Sequence, residues 1–193
     1  VRLMTLTWSR RNELGDGAYE EGTRGGLTRF GVDVVREMDR LGMVVDVSHL
    51  SEATFWHVME VSTKPLIASH SNARALCGHS RNLSDEQAKA IADRGGVIGV
   101  TFVGPFLGEG RQSVQGVVDH IDHFAGVIGA DHVAVGSDFD GVSDSALPEG
   151  LPDVSHMPAL IDELARRGYS DAAVQGIMGE NLLRVVESVI GLA

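Results

Sequence analysis

The chain has one cysteine, few basic residues and no long apolar run. Because Cys77 has no second cysteine to pair with, a disulfide within the chain is excluded, and a single thiol fits the reducing cytoplasm. The 16 Lys and Arg residues are outnumbered by 27 Asp and Glu, which gives a formal net charge of −11, and they form no basic stripe. We therefore expect neither nucleic acid nor an anionic membrane as a partner. No stretch approaches the roughly 18 apolar residues that a membrane span needs.

The length and the composition predict a single domain, residues 1–193, with a substantial core. The chain has 193 residues, of which 43% are hydrophobic. It starts on Val1, inside a run that already resembles a strand, and we find no signal peptide there. This abrupt start leads us to expect further residues upstream of Val1.

Apolar runs typical of strands alternate with helical segments along the chain. The runs lack a period-2 alternation, which indicates strands of a parallel sheet that is buried on both faces. A closed eight-stranded barrel needs eight such units and typically about 250 residues. We therefore predict an α/β fold, the C-terminal five β/α units of a (β/α)8 TIM-type barrel. An open doubly wound sheet is the alternative, but no Gly-rich phosphate fingerprint follows any strand. The five predicted strands are Arg2–Thr7, Met43–Val47, Leu66–Ala68, Val97–Phe102 and Val133–Val135.

Capping residues and apolar periodicity predict the helices between these strands. Ser51 caps a helix that runs to about Ser62, and Ser84 with Gln87 forms a capping box. An apolar stripe predicts a helix from Val114 to Ile128. The other predicted helices are Thr28–Leu41, Pro158–Arg167 before Gly168, and a final helical region that Ser170 caps and that is broken near Gly179. The segment from Asn12 to Gly26 is predicted to be a long loop.

Two histidines follow neighbouring predicted strands. His49 and His70 are 21 residues apart, one β/α unit, and have matching contexts, Asp-Val-Ser-His and Ala-Ser-His. The carboxyl ends of barrel strands meet at one open mouth, so both imidazoles are expected there. Neutral imidazole is a common zinc ligand. The alternative is a pair of strand-end histidines that are bonded to backbone, but the matching contexts favour a metal site.

A carboxylate ends the last predicted strand. Asp138 lies closest to the apolar run and is our candidate acid or base beside a metal-activated water. Asp140 is the rival, which we assign to the following loop, and turn chemistry before Gly141 is the alternative for both residues.

Spacing alone assigns no role to the remaining candidates. Arg81 precedes a helix cap and on that ground is predicted to be a surface residue, although its planar fork suits a substrate carboxylate. His120 and His123 lie off the apolar stripe of their helix, so we expect both to be solvated rather than metal-bound.

Several motifs are spread along the chain: GLTRFG at 26–31, VVREM at 34–38, LGMVVDVSH at 41–49, SHSNA at 69–73, RNL at 81–83, GSDFDG at 136–141 and NLLRV at 181–185. Together they resemble the membrane (renal-type) dipeptidase family, metallopeptidases of the amidohydrolase superfamily. The resemblance covers nearly the whole chain. It implies a (β/α)8 barrel with two zinc ions bridged by a hydroxide, which attacks the peptide carbonyl of a dipeptide, including some with a D-residue at the C-terminal position.

The resemblance also assigns roles to single residues. His49 and His70 are implied as ligands of the second zinc ion, and Asp138 as the acid and base. Arg81 is implied as the clamp on the substrate's terminal carboxylate, which reverses the assignment from spacing. Trp8 stands where well-studied members have a histidine that contacts the substrate. Tryptophan can stack and donate one hydrogen bond but cannot coordinate a metal.

Some features of the family have no counterpart here. Its first zinc ion is held partly by a His-x-Asp on the first strand, and a glutamate on the third strand bridges both ions; these strands would precede Val1. We expect no lipid anchor, because the segment from Val185 to Ala193 is too short.

Two alternatives to a dipeptidase stay open. One is an inactive truncated barrel or interaction fragment whose sheet edges pair as a homodimer. The other is a related amidohydrolase acting on N-acyl amino acids or lactones, against which Arg81 counts.

Overall fold

Five parallel strands form one sheet in the order β1-β2-β3-β4-β5. The computed structural model describes residues 1–110 and 112–191. Each strand pairs with the next one along the chain, as in Thr5 opposite Asp46 and Ala68 opposite Ile98. A doubly wound sheet would reverse its strand order at a switch point, so that alternative is wrong and the order of consecutive barrel units is observed. The strands are β1 (Leu3–Thr5), β2 (Val44–Asp46), β3 (Ile67–Ala68), β4 (Val97–Val100) and β5 (Val133–Val135).

Helices connect the strands and close the chain. The α-helices are α1 (Arg29–Leu41), α2 (Glu52–Val61), α3 (Asp85–Asp93), α4 (Gly104–Leu107), α5 (Val114–Ile128), α6 (Met157–Arg166), α7 (Asp171–Gln175) and α8 (Asn181–Ile190). Short 3-10 turns cover Ala18–Thr23, Ala130–His132, Phe139–Gly141, Asp144–Ala146 and Val154–His156, and a π-helical turn at Gly176–Glu180 joins α7 to α8. The predicted break near Gly179 is confirmed, because this residue leaves the helical conformation inside the π turn.

Side-chain caps explain where several helices begin. The Ser51 hydroxyl accepts from the Thr54 N–H at the start of α2. The Ser84 hydroxyl accepts from the Gln87 N–H, and the Gln87 side chain accepts in return from the Ser84 N–H, so the predicted capping box is confirmed. Gly42 ends α1 with a φ of 66°, a left-handed conformation that glycine adopts without a steric penalty.

The two faces of the sheet bury different layers of apolar side chains. Successive residues of a strand point to opposite faces. Accordingly, Val45 belongs to the larger core cluster, which packs against the surrounding helices. Val44 packs in a smaller cluster on the other face, with Val185 and Val189 of α8. Both faces are therefore covered, as the absence of alternation in the sequence predicts.

Four strands, β1 to β4, are shorter than the sequence predicts, and β1 and β4 each end two residues earlier. Strand β1 ends at Thr5 and β4 at Val100. After β4 the backbone N–H groups bond to a side chain and to a loop instead of to a neighbouring strand. The Thr101 N–H donates to Oδ1 of Asn72 (3.0 Å), and the Phe102 N–H donates to the Ser137 carbonyl (3.2 Å). A local apolar run does not reveal partners that are this distant in sequence.

The prediction that His120 and His123 are solvated is wrong for His120. His120 is 1% exposed; its Nδ1 accepts from the Ala73 N–H (2.9 Å) and its Nε2 lies 3.0 Å from the Leu107 carbonyl. The loop after β3 and the end of α4 thus cover a second side of α5, outside its apolar stripe. His123 is largely covered as well, with Nε2 2.7 Å from a carboxylate oxygen of Asp85.

Candidate metal centre

Two of the predicted ligands meet at the C-terminal edge of the sheet. His49 follows the end of β2 and His70 follows the end of β3. Their Nε2 atoms lie 2.8 Å apart, and the ring centroids are separated by 4.8 Å. Both side chains therefore point at one position between the neighbouring strand ends.

Left-handed backbone conformations place two of the candidate residues. His49 has a φ of 70° and Asp138 a φ of 61°, and both are in a region that non-glycine residues rarely adopt. The turn at His49 is held because its carbonyl accepts from the Ala18 N–H (2.7 Å). Such conformations persist where surrounding structure fixes them, and they cluster at functional sites.

Burial keeps both imidazoles neutral. It lowers the pKa of His49 to about 3, and the nearby Arg81 cation and His70 act in the same direction. The pKa of His70 is also lowered, first by burial and then by Arg81. A neutral imidazole offers a nitrogen lone pair, which is the form that coordinates a metal.

A carboxylate that sequence reasoning missed lies behind the pair. Asp46, the last residue of β2, is 1% exposed and bonds to Thr5, Ser48 and Ser69. The Ser69 hydroxyl in turn lies 2.7 Å from Nδ1 of His70. The available signal was a charged residue inside the apolar run Val-Val-Asp-Val. A carboxylate in a buried strand needs hydrogen-bond or charge partners, so its presence there indicates a polar network.

Arg81 is buried beside the histidines, so the prediction of a surface arginine from spacing is wrong. The residue is 3% exposed, its Nη2 donates to the His70 carbonyl (3.2 Å), and its guanidinium lies 5.6 Å from the Phe106 ring centroid. Its buried Nε has no hydrogen-bond partner among the described residues. Burial lowers its pKa to about 10, which leaves it a cation at neutral pH.

The chain after β3 explains this position. It folds back on itself, because the Leu83 N–H donates to the Asn72 carbonyl and the Arg74 N–H to the Leu83 carbonyl, both at 2.8 Å. This pairing returns Arg81 to the strand end that carries His70.

The other candidates lie around the opening. Asp138 is half-buried in the turn after β5, and its negative charge acts on His70 and Arg81. Asp140 is exposed in the 3-10 turn that follows. Trp8 is 74% exposed, with its ring centroid 6.3 Å from that of His49. The structure thus brings together the histidines and Arg81, and leaves Trp8 at the rim.

The histidine pair fits two ligands of one metal ion. Zinc–nitrogen bonds of about 2.0–2.1 Å in a tetrahedron place two nitrogens about 3.3 Å apart, so the separation of 2.8 Å needs only a small opening. Within residues 1–110 and 112–191 no group of three or more His, Cys, Asp or Glu side chains could hold a metal. The two imidazoles alone are therefore fewer than the three protein ligands of a catalytic zinc site.

Consecutive parallel β/α units with their polar side chains at the carboxyl edge are the architecture of a TIM-type barrel, of which this chain forms a part. The family model of the membrane dipeptidases, peptidase family M19, matches residues 1–193. The chain therefore belongs to the membrane dipeptidase family, and the resemblance read from the motifs is confirmed.

Individual relatives agree with this assignment. The chain is 41% identical over 199 residues to an uncharacterized protein in the pqqA 5' region of Klebsiella pneumoniae, covering 98% of this chain and 72% of that protein. It is 42% identical over 190 residues to dipeptidase verJ of Clonostachys rogersoniana, covering 98% and 48%. The fold matches a metallopeptidase from Rhodobacter sphaeroides, solved with a phosphinate mimic of the dipeptide L-Ala-D-Ala, with a TM-score of 0.90 and 33% identity over 98% and 56% of the two chains. The chain thus spans about half the length of these last two proteins.

None of the helices in residues 1–110 and 112–191 is both long enough and apolar enough to cross a bilayer. Leu192 and Ala193, at the end of the segment considered for an anchor, lie outside the described residues.

Proposed function

We propose that this chain is the C-terminal portion of the barrel of a zinc-dependent dipeptidase that hydrolyses small dipeptides. The observation that carries the proposal is the pair of neutral imidazoles with Nε2 atoms 2.8 Å apart, beside a buried arginine with an unpartnered Nε. Support comes from the family and from the dipeptidase relatives. We propose zinc as the metal, with two ions in the active site of the full-length protein.

His49 and His70 would hold one of the two ions, together with ligands that other parts of the full-length protein provide. Bound zinc supplies Lewis acidity, which polarises the peptide carbonyl and lowers the pKa of a water molecule. The chain's own part in this is to present both Nε2 atoms at one position.

Arg81 would bind the free carboxylate of the dipeptide. Its guanidinium is fixed by the His70 carbonyl and by the Phe106 ring, so its fork is oriented before the substrate arrives. A carboxylate clamp selects a free C-terminus, which favours dipeptides over lactones.

Asp138 would move the proton. A carboxylate at the strand end can take a proton from the attacking water and give it to the leaving amine. Asp138 is half-buried and the following Asp140 is exposed, so the turn borders solvent.

Trp8 would form the exposed wall of the substrate site. It offers a flat apolar surface and one N–H donor near His49. It performs no proton transfer, so we assign it to substrate selection.

The test is the hydrolysis of small dipeptides by the full-length protein and its His70→Ala variant. We expect the variant to lose turnover, because one of the two imidazole ligands is gone. The control is His156→Ala, which changes an exposed histidine in the 3-10 turn before α6. Undiminished turnover in His70→Ala would contradict the proposal.

The substrate panel should separate the related activities. It should include L-Ala-D-Ala, because the Rhodobacter relative was solved with a mimic of this dipeptide. N-acyl amino acids and lactones belong in the same panel, and faster turnover of either would assign the protein to another reaction class.

A further inference from the structure

The carboxylate of Asp46 reaches the histidine pair through a single hydroxyl. Its Oδ1 accepts from the backbone N–H groups of Ser48 (3.0 Å) and Ser69 (2.9 Å). Its Oδ2 accepts from the hydroxyls of Thr5 and Ser69, both at 2.6 Å. All four neighbours donate, so this carboxylate acts only as an acceptor, as an ionised carboxylate does.

The single hydroxyl proton of Ser69 determines the tautomer of His70. A serine hydroxyl has one proton to donate, and here it is donated to Asp46. Toward Nδ1 of His70, at 2.7 Å, the Ser69 oxygen can therefore only accept. His70 must then carry its proton on Nδ1, and its Nε2 presents a lone pair.

His49 has a different partner. Its Nδ1 lies 3.1 Å from the hydroxyl of Ser9, a residue that is 3% exposed. No carboxylate within the described residues fixes the proton of this hydroxyl, so Ser9 can either donate or accept. His49 is therefore free to change its tautomer, whereas His70 is not.

We propose that Asp46 and Ser69 are positioning residues which lock His70 in its Nδ1-protonated form, and that Ser9 is an adaptable partner which lets His49 change tautomer when a metal binds. The metal-ligand part of this inference rests on the proposed function. The tautomer of His70 in the metal-free protein does not.

Without metal, the facing Nε2 atoms of His49 and His70 share one proton. Two lone pairs 2.8 Å apart repel each other, so one Nε2 must carry a proton. Because His70 Nε2 is the acceptor, His49 Nε2 is the donor, and His49 Nδ1 accepts from Ser9. Metal ligation needs both lone pairs, so the proton of His49 must then be on Nδ1, with the Ser9 hydroxyl turned from donor to acceptor. The number of protons on the pair is unchanged.

The experiment is long-range ¹H–¹⁵N NMR on the full-length protein with ¹⁵N-labelled histidine at neutral pH, before and after addition of Zn²⁺. Without metal we expect Nδ1–H on His70 and Nε2–H on His49. With Zn²⁺ we expect His70 unchanged and His49 converted to Nδ1–H. A metal-free His70 with its proton on Nε2 overturns the proposal, and this result needs no variant.

Variants test the role of the hydroxyl. Ser69→Ala should give a mixture of His70 tautomers and weaken Zn²⁺ binding by roughly 10- to 100-fold, the usual loss when a group that orients a metal ligand is removed. Ser69→Thr keeps a hydroxyl and should restore both. The matched control is Ser71→Ala, a buried serine whose hydroxyl lies 3.3 Å from Ser48 Oγ. An unchanged tautomer and affinity in Ser69→Ala contradict the proposal.

The two proposals fail in different ways. A parent protein that binds no Zn²⁺ contradicts the proposed function but leaves the metal-free tautomer of His70 as a separate result. A parent protein that binds Zn²⁺ with His70 in the wrong metal-free tautomer contradicts only the role of Asp46 and Ser69.

Discussion

Arg81 combines three properties that a surface arginine lacks: burial, a fixed orientation and an unpartnered Nε. Leaving a donor without a partner in a buried position costs about 1–3 kcal/mol, which a bound carboxylate would recover. In the proposed function this residue is both part of the folded core and the contact for the substrate carboxylate.

Replacing Arg81 should remove the preference for a free C-terminus. We expect Arg81→Met to lower kcat/KM for a dipeptide by roughly 10- to 100-fold, the value of a hydrogen-bonded charge pair of about 1.5–3 kcal/mol. The matching dipeptide amide, which lacks the carboxylate, should be affected little. Steady-state kinetics on both substrates provide the check. An equal loss on acid and amide would show a general structural defect instead.

His120 is a buried base that must stay neutral, because its Nδ1 accepts from the Ala73 N–H. Burial is the largest cause that lowers its pKa from the ordinary 6.5. Below pH 6.5 His120 therefore binds a proton in the unfolded chain but stays neutral in the folded chain. By linkage, this group's contribution to stability is lost as the pH falls from 6.5 toward the folded-state value.

The His120→Gln variant should show a flatter dependence of stability on pH than the parent. Urea unfolding at pH 7.5 and at pH 5 gives the change of the free energy of unfolding with pH. This change should be larger in the parent than in the variant by up to about 1.4 kcal/mol per pH unit, the value for one proton. His156→Gln serves as the control, because that side chain is exposed. Parallel curves for the parent and His120→Gln would contradict the assignment.

At the scale of elements, two glycines allow neighbouring strands to approach the chain just before His70. A Cβ at Gly136, after β5, would lie 2.0 Å from the Ser69 carbonyl oxygen, and one at Gly99, in β4, would lie 2.2 Å from it. The packing of the sheet and the position of His70 are therefore coupled through the backbone of Ser69.

Replacing Gly136 by Ala should disturb both stability and the site. We expect Gly136→Ala to lower the free energy of unfolding by about 1–3 kcal/mol, as overpacking does, and to weaken Zn²⁺ binding because His70 shifts. The control is Gly126→Ala in α5, where an added Cβ meets nothing within 4 Å and alanine is the better helix former. Denaturation and metal titration of both variants test this. Gly136→Ala with normal stability and normal affinity would contradict it.

The elements were predictable where the signal is local. Caps such as Ser51 and Ser84 and the apolar stripe of α5 act within a few residues, and they fixed those helices. The proximity of His49 and His70 was predictable because a parallel sheet places consecutive strand ends side by side. The burial of His120 and Arg81 and the hydrogen bonds of Asp46 and Ser69 depend on contacts between distant parts of the chain. Periodicity carries no information about such contacts.

At the scale of the whole molecule, the sheet has two edges. In the described part of the chain β1 and β5 each pair on one side only. An unpaired edge is a template for another strand. In the proposed barrel further strands of the full-length protein cover both edges, while a second copy of the chain is the alternative. Sedimentation of the full-length protein distinguishes a monomer from a homodimer.

His49 and His70 are proposed to hold a metal in a dipeptidase site. The most direct measurement is the metal content per chain, by elemental analysis, of the full-length protein and of its His49→Ala/His70→Ala double variant. We expect about two zinc ions per chain in the parent, as two-metal hydrolytic sites hold, and at least one fewer in the variant. Equal metal content in both proteins, or no metal in an active parent, would show that these histidines do not hold a metal needed for hydrolysis.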